Sequence, residues 1–586
     1  MITIQPSFIT SPSTLFHRRS IKSQRHNKPM LSRCCLVEKH AQKLKEAQRS
    51  FMVATRKERM LTCPVETLVM IDAVQRLGID YHFQENIDGV LSDEFSIAAK
   101  MAAGGSSHGL FEVSLNFRLM RQQGYRIPSD VFGKFKNGEG KFNPNLSQDV
   151  KVMMEVFEAS QWITPGENIL REAREFSSHW LRSWIATRSP SPNLSVGNGF
   201  LLEELATTTE TVANTLKHPC RRSIPRLAIK DYLSSFAART SSNDKYLKHH
   251  YVETLKDFAK LDFNMNQATH QEELFKISKW WNEIGLAVNH GRDRLQVEAY
   301  LWPMSTLAGP GFSEYRIDLA KIASFVYLID DIFDIYGSSL EELTLFTQAV
   351  TRWDIRIAEK LPDYMRKCFM ALYHVINQIG YDVHKKHGYN SIHSLQRGWA
   401  KLVEAFLVEA KWMRNGTCPA SEDYLKNGIV SSGVQLVLLH FFFLLGQGIT
   451  KQNVSLVDGD NPPLISPVAK ILRLSDDLSS TYDEHVGYDA SYVDCYLKEN
   501  PGLSVREARE HVMDMIEETW EQLNHESLAT TFPVVFARAV VDSARMVPFV
   551  YGNDGSFHDD NEHNSSSSVP CLQDRIKSLL FESIPI

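Results

Sequence analysis

Three carboxylates set into an apolar run are the first residues in this chain that could do chemistry. The stretch "YLIDDIFDIYG", residues 327–337, carries Asp330, Asp331 and Asp334 among Tyr, Leu, Ile and Phe. On a helix Asp330 and Asp334 lie one turn apart on a shared face, with Asp331 beside them and Tyr327 a turn earlier. Like charges at that spacing repel. A divalent cation between them relieves the repulsion, and hard oxygen ligands with few protein contacts suit Mg²⁺ or Mn²⁺, which keep waters and bridge to phosphate. The competing explanation is a solvated acidic face. It is weakened because "KIASFVYLI" precedes the acids with no charge after Lys321, and Gly337 reads as the terminating residue. The acids then sit at the helix end that the macrodipole disfavours for negative charge.

A second set of oxygen ligands follows in "SPVAKILRLSDDLSSTYDEHVG". Ser466 and Pro467 suit an N-cap and a first turn, and Gly487 a terminator. Between them Arg473, Asp476, Ser480 and Glu484 recur at steps of three and four, which lines them along one helical stripe. Taken alone, the same pattern describes a surface helix with ion pairs. A third element, "HGRDRLQVEAYLW", offers the guanidinium forks of Arg292 and Arg294 to phosphate oxygens and the aromatic faces of Tyr300 and Trp302. Alone, an Arg-Asp-Arg triplet is a surface ion-pair cluster. No H-E-x-x-H or C-x-x-C pattern is present. Neither Gly133-Lys134 nor Gly140-Lys141 is followed by Ser or Thr, so there is no P-loop, which disfavours kinase or ATPase chemistry.

The elements that must position these groups are helices. In "PVETLVMIDAVQRLGI" (64–79), Leu68, Ile71, Val74 and Leu77 fall three apart on one face, and later segments repeat the style with Pro and Gly between them. Strand-type alternation is hard to find, so the fold class is all-α. With 586 residues the chain exceeds what one core supports, and two large domains are expected. No constant repeat appears, which disfavours a regular solenoid. The polar stretch "ARTSSNDKYLKHH" (238–250) is the candidate boundary, and "YGNDGSFHDDNEHNSSSSVP" (551–570) is long enough for a lid or a disordered loop.

A formal net charge of −6 gives no basic field for nucleic acid or an anionic membrane. The eight cysteines form no short secreted framework, so a reducing compartment and no disulfides are expected. The apolar run from Val434 is too short for a bilayer and carries Gln435, His440 and Gln447, which marks a core helix, not a membrane span. Before Glu38 there is no acid, whereas Arg18, Arg19, Lys22, Arg25, Lys28 and Arg33 stand among many Ser and Thr. That composition fits a plastid (chloroplast) transit peptide, with a basic disordered tail and a cytosolic enzyme as the alternative.

Taken together, the motifs resemble those of class I plant terpene synthases. Asp330-Asp331-Ile-Phe-Asp334 looks like the DDxxD motif, and Asp476-Asp477-Leu-Ser-Ser480-x-x-x-Glu484 fits the second metal motif. The upstream Arg292-Asp-Arg294, "SKWWNEIGL" (278–286), "FLVEAKW" (406–412) and "VSSGV" (430–434) agree with it. The resemblance implies a transit or disordered segment at 1–50, an N-terminal α-barrel at roughly 55–250 and a catalytic α-helical bundle at 251–586. The barrel has no D-x-D-D motif, so protonation-initiated cyclisation is not supported.

By the family pattern, Asp330 and Asp334 bind two Mg²⁺, and Asp476, Ser480 and Glu484 bind a third. Asp331 supports that network by hydrogen bonding. Arg292, Arg294 and Arg473 hold the diphosphate of a small prenyl diphosphate substrate, with Trp302, Tyr327 and Phe333 as pocket aromatics. Phe333 is the weakest of these by helical position. Tyr551 and Asp554 stand at the hinge of the 552–570 loop. The resemblance further implies a monomer with no nucleic-acid partner.

Departures narrow the product. Cyclic monoterpene synthases usually carry R-R-x8-W, whereas Arg18-Arg19 lacks its tryptophan and the first Trp is Trp162. That absence resembles the subgroup making acyclic products, so geranyl diphosphate would give linalool first, or myrcene or ocimene, and farnesyl diphosphate would give nerolidol. "HVGYDAS" after Glu484 lacks the basic residue of many relatives, and Ser475 stands where acyclic-type relatives often have Trp. The alternatives are a sesquiterpene synthase, a chain-elongating prenyltransferase, which would need two DDxxD-type motifs, and a non-catalytic helical scaffold.

Overall fold

The computed structural model describes residues 29–56, 65–101, 109–188, 199–239, 249–286, 295–334, 338–480, 491–551 and 572–586. These form α-helices with a few 3₁₀ turns. In chain order the helices are α1 Pro29–Arg56, α2 Val65–Arg76, α3 Gln84–Met101, α4 Leu110–Gln122, α5 Val150–Ser160, α6 Asn168–Arg188, α7 Gly199–Lys217, α8 Pro225–Arg239 and α9 His249–Glu283. They continue as α10 Leu295–Thr306, α11 Ser313–Asp334, α12 Leu340–Arg352, α13 Ile355–Ala358, α14 Asp363–His387, α15 Ile392–Arg414 and α16 Ser421–Ser431. The last are α17 Val434–Leu445, α18 Lys451–Val457, α19 Ser466–Ser480, α20 Tyr492–Glu499, α21 Val505–Ala529, α22 Val534–Tyr551 and α23 Leu572–Phe581. The described residues divide into two compact units, 29–268 together with 572–586, and 269–551.

The division differs from the boundaries expected from sequence in two places. Residues 1–50 were expected to be a transit or disordered segment, but α1 starts at Pro29, and Ala47 and Phe51 are wholly buried. His40 and His82 bring Nε2 within 3.0 and 2.8 Å of one carboxylate oxygen of Asp262. Tyr81 donates its hydroxyl to the same carboxylate at 2.8 Å, and Asn266 donates at 3.0 Å. Burial alone would raise the Asp262 carboxyl, yet the hydrogen bonds from His40 and His82 outweigh it and hold it at about 2.

The second difference concerns the expected domain at 251–586. The division falls inside α9, a continuous helix, and the C-terminal segment packs with the first unit. Lys230 donates to the Ser578 carbonyl at 2.8 Å, Gln267 to the Leu579 carbonyl at 2.8 Å, and the Ile584 amide to Asn264 at 2.8 Å. Leu580 is fully buried.

In the second unit α10, α11, α17, α19 and α22 touch in a closed ring, within a core to which α12, α14 and α15 also contribute. Helix α10 packs on α11, α11 on α17, α17 on α19, α19 on α22, and α22 returns to α10. The start of α11 is pinned by a buried ion pair. Arg316 donates to both oxygens of Glu273 on α9 at 2.8 and 2.6 Å, and also to the carbonyls of Leu307 and Gly309 at 2.9 and 2.7 Å. Tyr300 of α10 adds a 2.6 Å bond to Glu273, whose carboxyl these partners hold well below its ordinary range despite burial.

The apolar run from Val434 is the 12-residue helix α17. Residues Ser421–Leu445 together are long and apolar enough to cross a bilayer, but 67% of their most apolar window is buried inside the protein. Gly433, at φ 74°, breaks the run into two helices, and a Cβ there would stand 2.7 Å from Val326. Only glycine adopts that backbone freely at so close an approach.

The Arg316–Glu273 pair yields a test. Truncating one partner of a buried, hydrogen-bonded ion pair leaves the other charge uncompensated. Glu273→Ala is expected to lower unfolding free energy by about 3–5 kcal/mol, read as a shift of the urea midpoint at unchanged slope. A change within experimental error would remove the pair from the brace assigned to it.

Candidate active site

The two carboxylate motifs occupy the C-terminal turns of α11 and α19, two members of the ring. Asp330 and Asp331 are 9% and 2% exposed, and Asp476 and Asp477 are 8% and 3% exposed. Asp334 is half-buried at the last position of α11. Tyr551 ends α22, and its buried hydroxyl has no hydrogen-bond partner among the described residues. Burial, followed by the nearby Asp476, Tyr327 and Asp330, pushes that phenol well above its ordinary range. Asp476 of α19 and Tyr327 and Asp330 of α11 are thus all near the hydroxyl at the end of α22.

Aromatic residues stand next to the acids. Trp302 of α10 donates its indole N–H to the Tyr327 hydroxyl at 2.9 Å, one helical turn before Asp330 and Asp331. Phe333 instead packs into the core, with its ring centroid 6.1 Å from Phe346 and 5.7 Å from Phe406. A helix places residues 330 and 333 on diverging directions, which accounts for the difference.

The second motif is held by a network that sequence reasoning did not name. Asp477 accepts from the Tyr424 hydroxyl of α16 at 2.9 Å and from the Tyr492 amide of α20 at 3.0 Å. Burial pushes its carboxyl up to about 7, against the pull of Arg473. Burial likewise pushes Asp476 above the usual carboxylate range. Arg473 is 1% exposed, donates to Ser431 Oγ at 2.8 Å, lies 3.5 Å from Glu409, and reaches within 4.0 Å of both Asp476 and Asp477. Gly428 makes room for it, because a Cβ there would lie 2.8 Å from Arg473 Nε. Glu409 interrupts the apolar "EAFLVEA", which is a weak signal in the sequence; Gly428 leaves none.

Several expected residues lie outside the described ones: Arg292, Arg294, Glu484, Gly337 and the 552–570 loop with Asp554. Ser480 is the last residue of α19, and its side chain is likewise outside. What is described is an all-oxygen donor set on α11 and α19, with Asp476 and Asp477 pushed up by burial and the Tyr551 phenol near them. Hard divalent cations take such donors, and a bound one supplies the positive charge that Arg473 alone does not. The residues fit Mg²⁺.

The second unit of this all-α chain places the buried carboxylates of two motifs at helix ends near aromatic side chains, and hard divalent cations take such donors. Comparison with known proteins agrees. Residues 282–522 match the metal binding domain of the terpene synthase family, and residues 15–197 match the terpene synthase N-terminal domain. The chain is 47% identical over 552 residues to probable terpene synthase 4 of Ricinus communis, spanning 94% of this chain and 90% of that one. It is 40% identical to an (E)-nerolidol synthase of Cannabis sativa, over 88% of each chain, and 38% identical to the chloroplastic tricyclene synthase Oc15 of Antirrhinum majus, over 89% and 84%. Isoprene synthase from grey poplar leaves (Populus x canescens), solved with three Mg²⁺ ions and dimethylallyl-S-thiolodiphosphate, superposes with a TM-score of 0.79 at 33% identity, covering 94% of this chain and 98% of that one. The chain belongs to the plant terpene synthase family, whose members are lyases acting on prenyl diphosphates.

The Gly428 cradle can be tested directly. Gly428→Ala forces the Arg473 side chain from a site with no spare volume, and overpacking of that kind costs about 1–3 kcal/mol. The expected result is a lower denaturation midpoint together with a fall in turnover. Turnover at the parental level would separate Arg473 from the working site.

Proposed function

We propose that this protein ionises geranyl diphosphate and quenches the resulting cation without closing a ring, giving linalool or, by proton loss, myrcene or ocimene. The observation that carries the reading is the burial of Asp330, Asp331, Asp476 and Asp477 on two members of one ring of apolar helices. Asp330 and Asp334 on one side, and Asp476, Ser480 and Glu484 on the other, would hold Mg²⁺. The chemistry that bound Mg²⁺ supplies is Lewis-acid neutralisation of the charge on the departing diphosphate.

The remaining work falls to this chain's own groups. Asp331, buried one position from Asp330, supports the first carboxylate pair. Arg473 fixes Asp476 and Asp477 by its charge, and Arg292 and Arg294 add guanidinium forks for phosphate oxygens. Arg473 is wholly buried, so we assign it first to orienting the carboxylates and through them to the diphosphate. Trp302 and Tyr327, tied by their hydrogen bond, present aromatic faces that stabilise a cation and keep water from it.

The acyclic outcome rests on the missing tandem-arginine and tryptophan motif and on the similarity to a nerolidol synthase. That similarity favours one second reading, nerolidol formation from farnesyl diphosphate. A plastid location is supported by the acid-free basic segment before Glu38 and by a relative named as chloroplastic. Catalysis is assigned to the second unit.

Purified protein lacking only residues 1–28 is to be incubated with geranyl, farnesyl and geranylgeranyl diphosphates and Mg²⁺, with volatile products identified by gas chromatography and mass spectrometry. Acyclic C10 products are expected, lost on chelation of the metal and restored by Mg²⁺. A cyclic product, or elongated diphosphates only, would sink the reading. Asp330→Ala is expected to cost on the order of 10²-fold or more in turnover, the range for removing a main electrostatic stabiliser. Survival of activity within a few-fold would mean that the ligand assignment is wrong.

A further inference from the structure

Two thiols that the catalytic reading leaves unused face each other beside the second motif. Cys418 Sγ lies 3.3 Å from Cys495 Sγ, and neither is bonded to another sulfur. Cys495 is fully buried on α20, whereas Cys418 is partly exposed in the non-helical segment just before α16. The two elements are already braced against each other. Ser421 donates its amide and its hydroxyl to the Glu499 carboxylate at 2.9 and 2.6 Å, and Lys498 donates to the Cys418 carbonyl at 3.0 Å. A disulfide needs its sulfurs about 2.05 Å apart. The remaining approach of about 1.3 Å falls on Cys418, whose backbone is not committed to a helix.

We propose that Cys418 and Cys495 form an oxidation site that closes as a reversible intramolecular disulfide, clasping the approach to α16 onto α20. The co-reactant is a low-molecular-weight disulfide such as glutathione disulfide. The Cys418 thiolate attacks one of its sulfurs and releases the first thiol. The Cys495 sulfur then displaces the second from the mixed disulfide. Two protein thiols are oxidised by two electrons, one small disulfide is reduced to two thiols, and the two protons end on those thiols. Burial raises the Cys495 thiol above its ordinary range, which leaves the first attack to Cys418.

The clasp acts on the second carboxylate motif. Tyr424 of α16 and Tyr492 of α20 both hydrogen-bond the carboxylate of Asp477, next to Asp476. Linking their elements alters how that carboxylate pair is held, and partners of metal-binding carboxylates tune metal affinity. This consequence rests on the metal reading of Asp476; the disulfide itself does not.

The test treats the purified full chain with glutathione disulfide, blocks remaining thiols and maps peptides by mass spectrometry. A linked pair containing Cys418 and Cys495 is expected, lost on dithiothreitol treatment and absent from Cys418→Ser. Glutathione retained on Cys418 with Cys495 reduced, or linkage only between other cysteines, overturns the site. In parallel, the Mg²⁺ concentration for half-maximal turnover is measured. Oxidation is expected to shift it by about twofold or more in the parent and not in treated Cys418→Ser. A linked pair with no shift leaves the site and overturns its coupling to the metal. Absence of turnover before oxidation refutes the catalytic reading, while the peptide map still decides the disulfide.

Discussion

Four carboxylates, those of Asp330, Asp331, Asp476 and Asp477, are each less than a tenth exposed inside a ring of apolar helices. Burying charge is costly unless it is paired, and Arg473 is the cation seen close to the second pair. Burial raises the carboxyls of Asp476 and Asp477, against the pull of Arg473. A site left in that condition gains most from a ligand that brings positive charge.

Keeping the acids in place requires rigid surroundings, and the structure supplies them at both ends of the helices. At the start of α11, Arg316 ties α9, α10 and the intervening turn together through Glu273 and two carbonyls. Near the end of α19, Asp477 is held by α16 and α20, and Arg473 is seated by Ser431, Glu409 and the missing side chain of Gly428. Preorganisation of this kind spares the reacting state the cost of moving charged groups into position.

Much of this was legible in the chain. The spacing of Asp330 and Asp334, and of Arg473 and Asp476, follows from helical periodicity, and Ser466 opens α19 as its residue type suggested. That Phe333 diverges from the acids was also readable from the same period. Residues holding the motif from other helices were not, because Tyr424, Ser431 and Tyr492 reach Asp477 and Arg473 only through the tertiary fold. The role of Gly428 is set by a side chain 45 positions away in the numbering. The apolar residues Leu44, Ala47 and Phe51 of α1 are sparse in a charged, Ser-containing stretch, and the tertiary contact of His40 with Asp262 helps place the helix. The division within α9 carries no turn signal, since the backbone there never leaves the helix.

The first unit is assembled from both ends of the chain, with the second unit inserted between Ala268 and the returning C-terminal segment. On a ribosome, the inserted unit emerges whole before the segment that completes its host. Synthesis at roughly 5–20 residues per second leaves the host unit waiting for tens of seconds with the seat of Leu580 uncovered. Nonsense or frameshift lesions in the final residues therefore strike the unit that lies first in sequence, and holdase chaperones have their longest opportunity there.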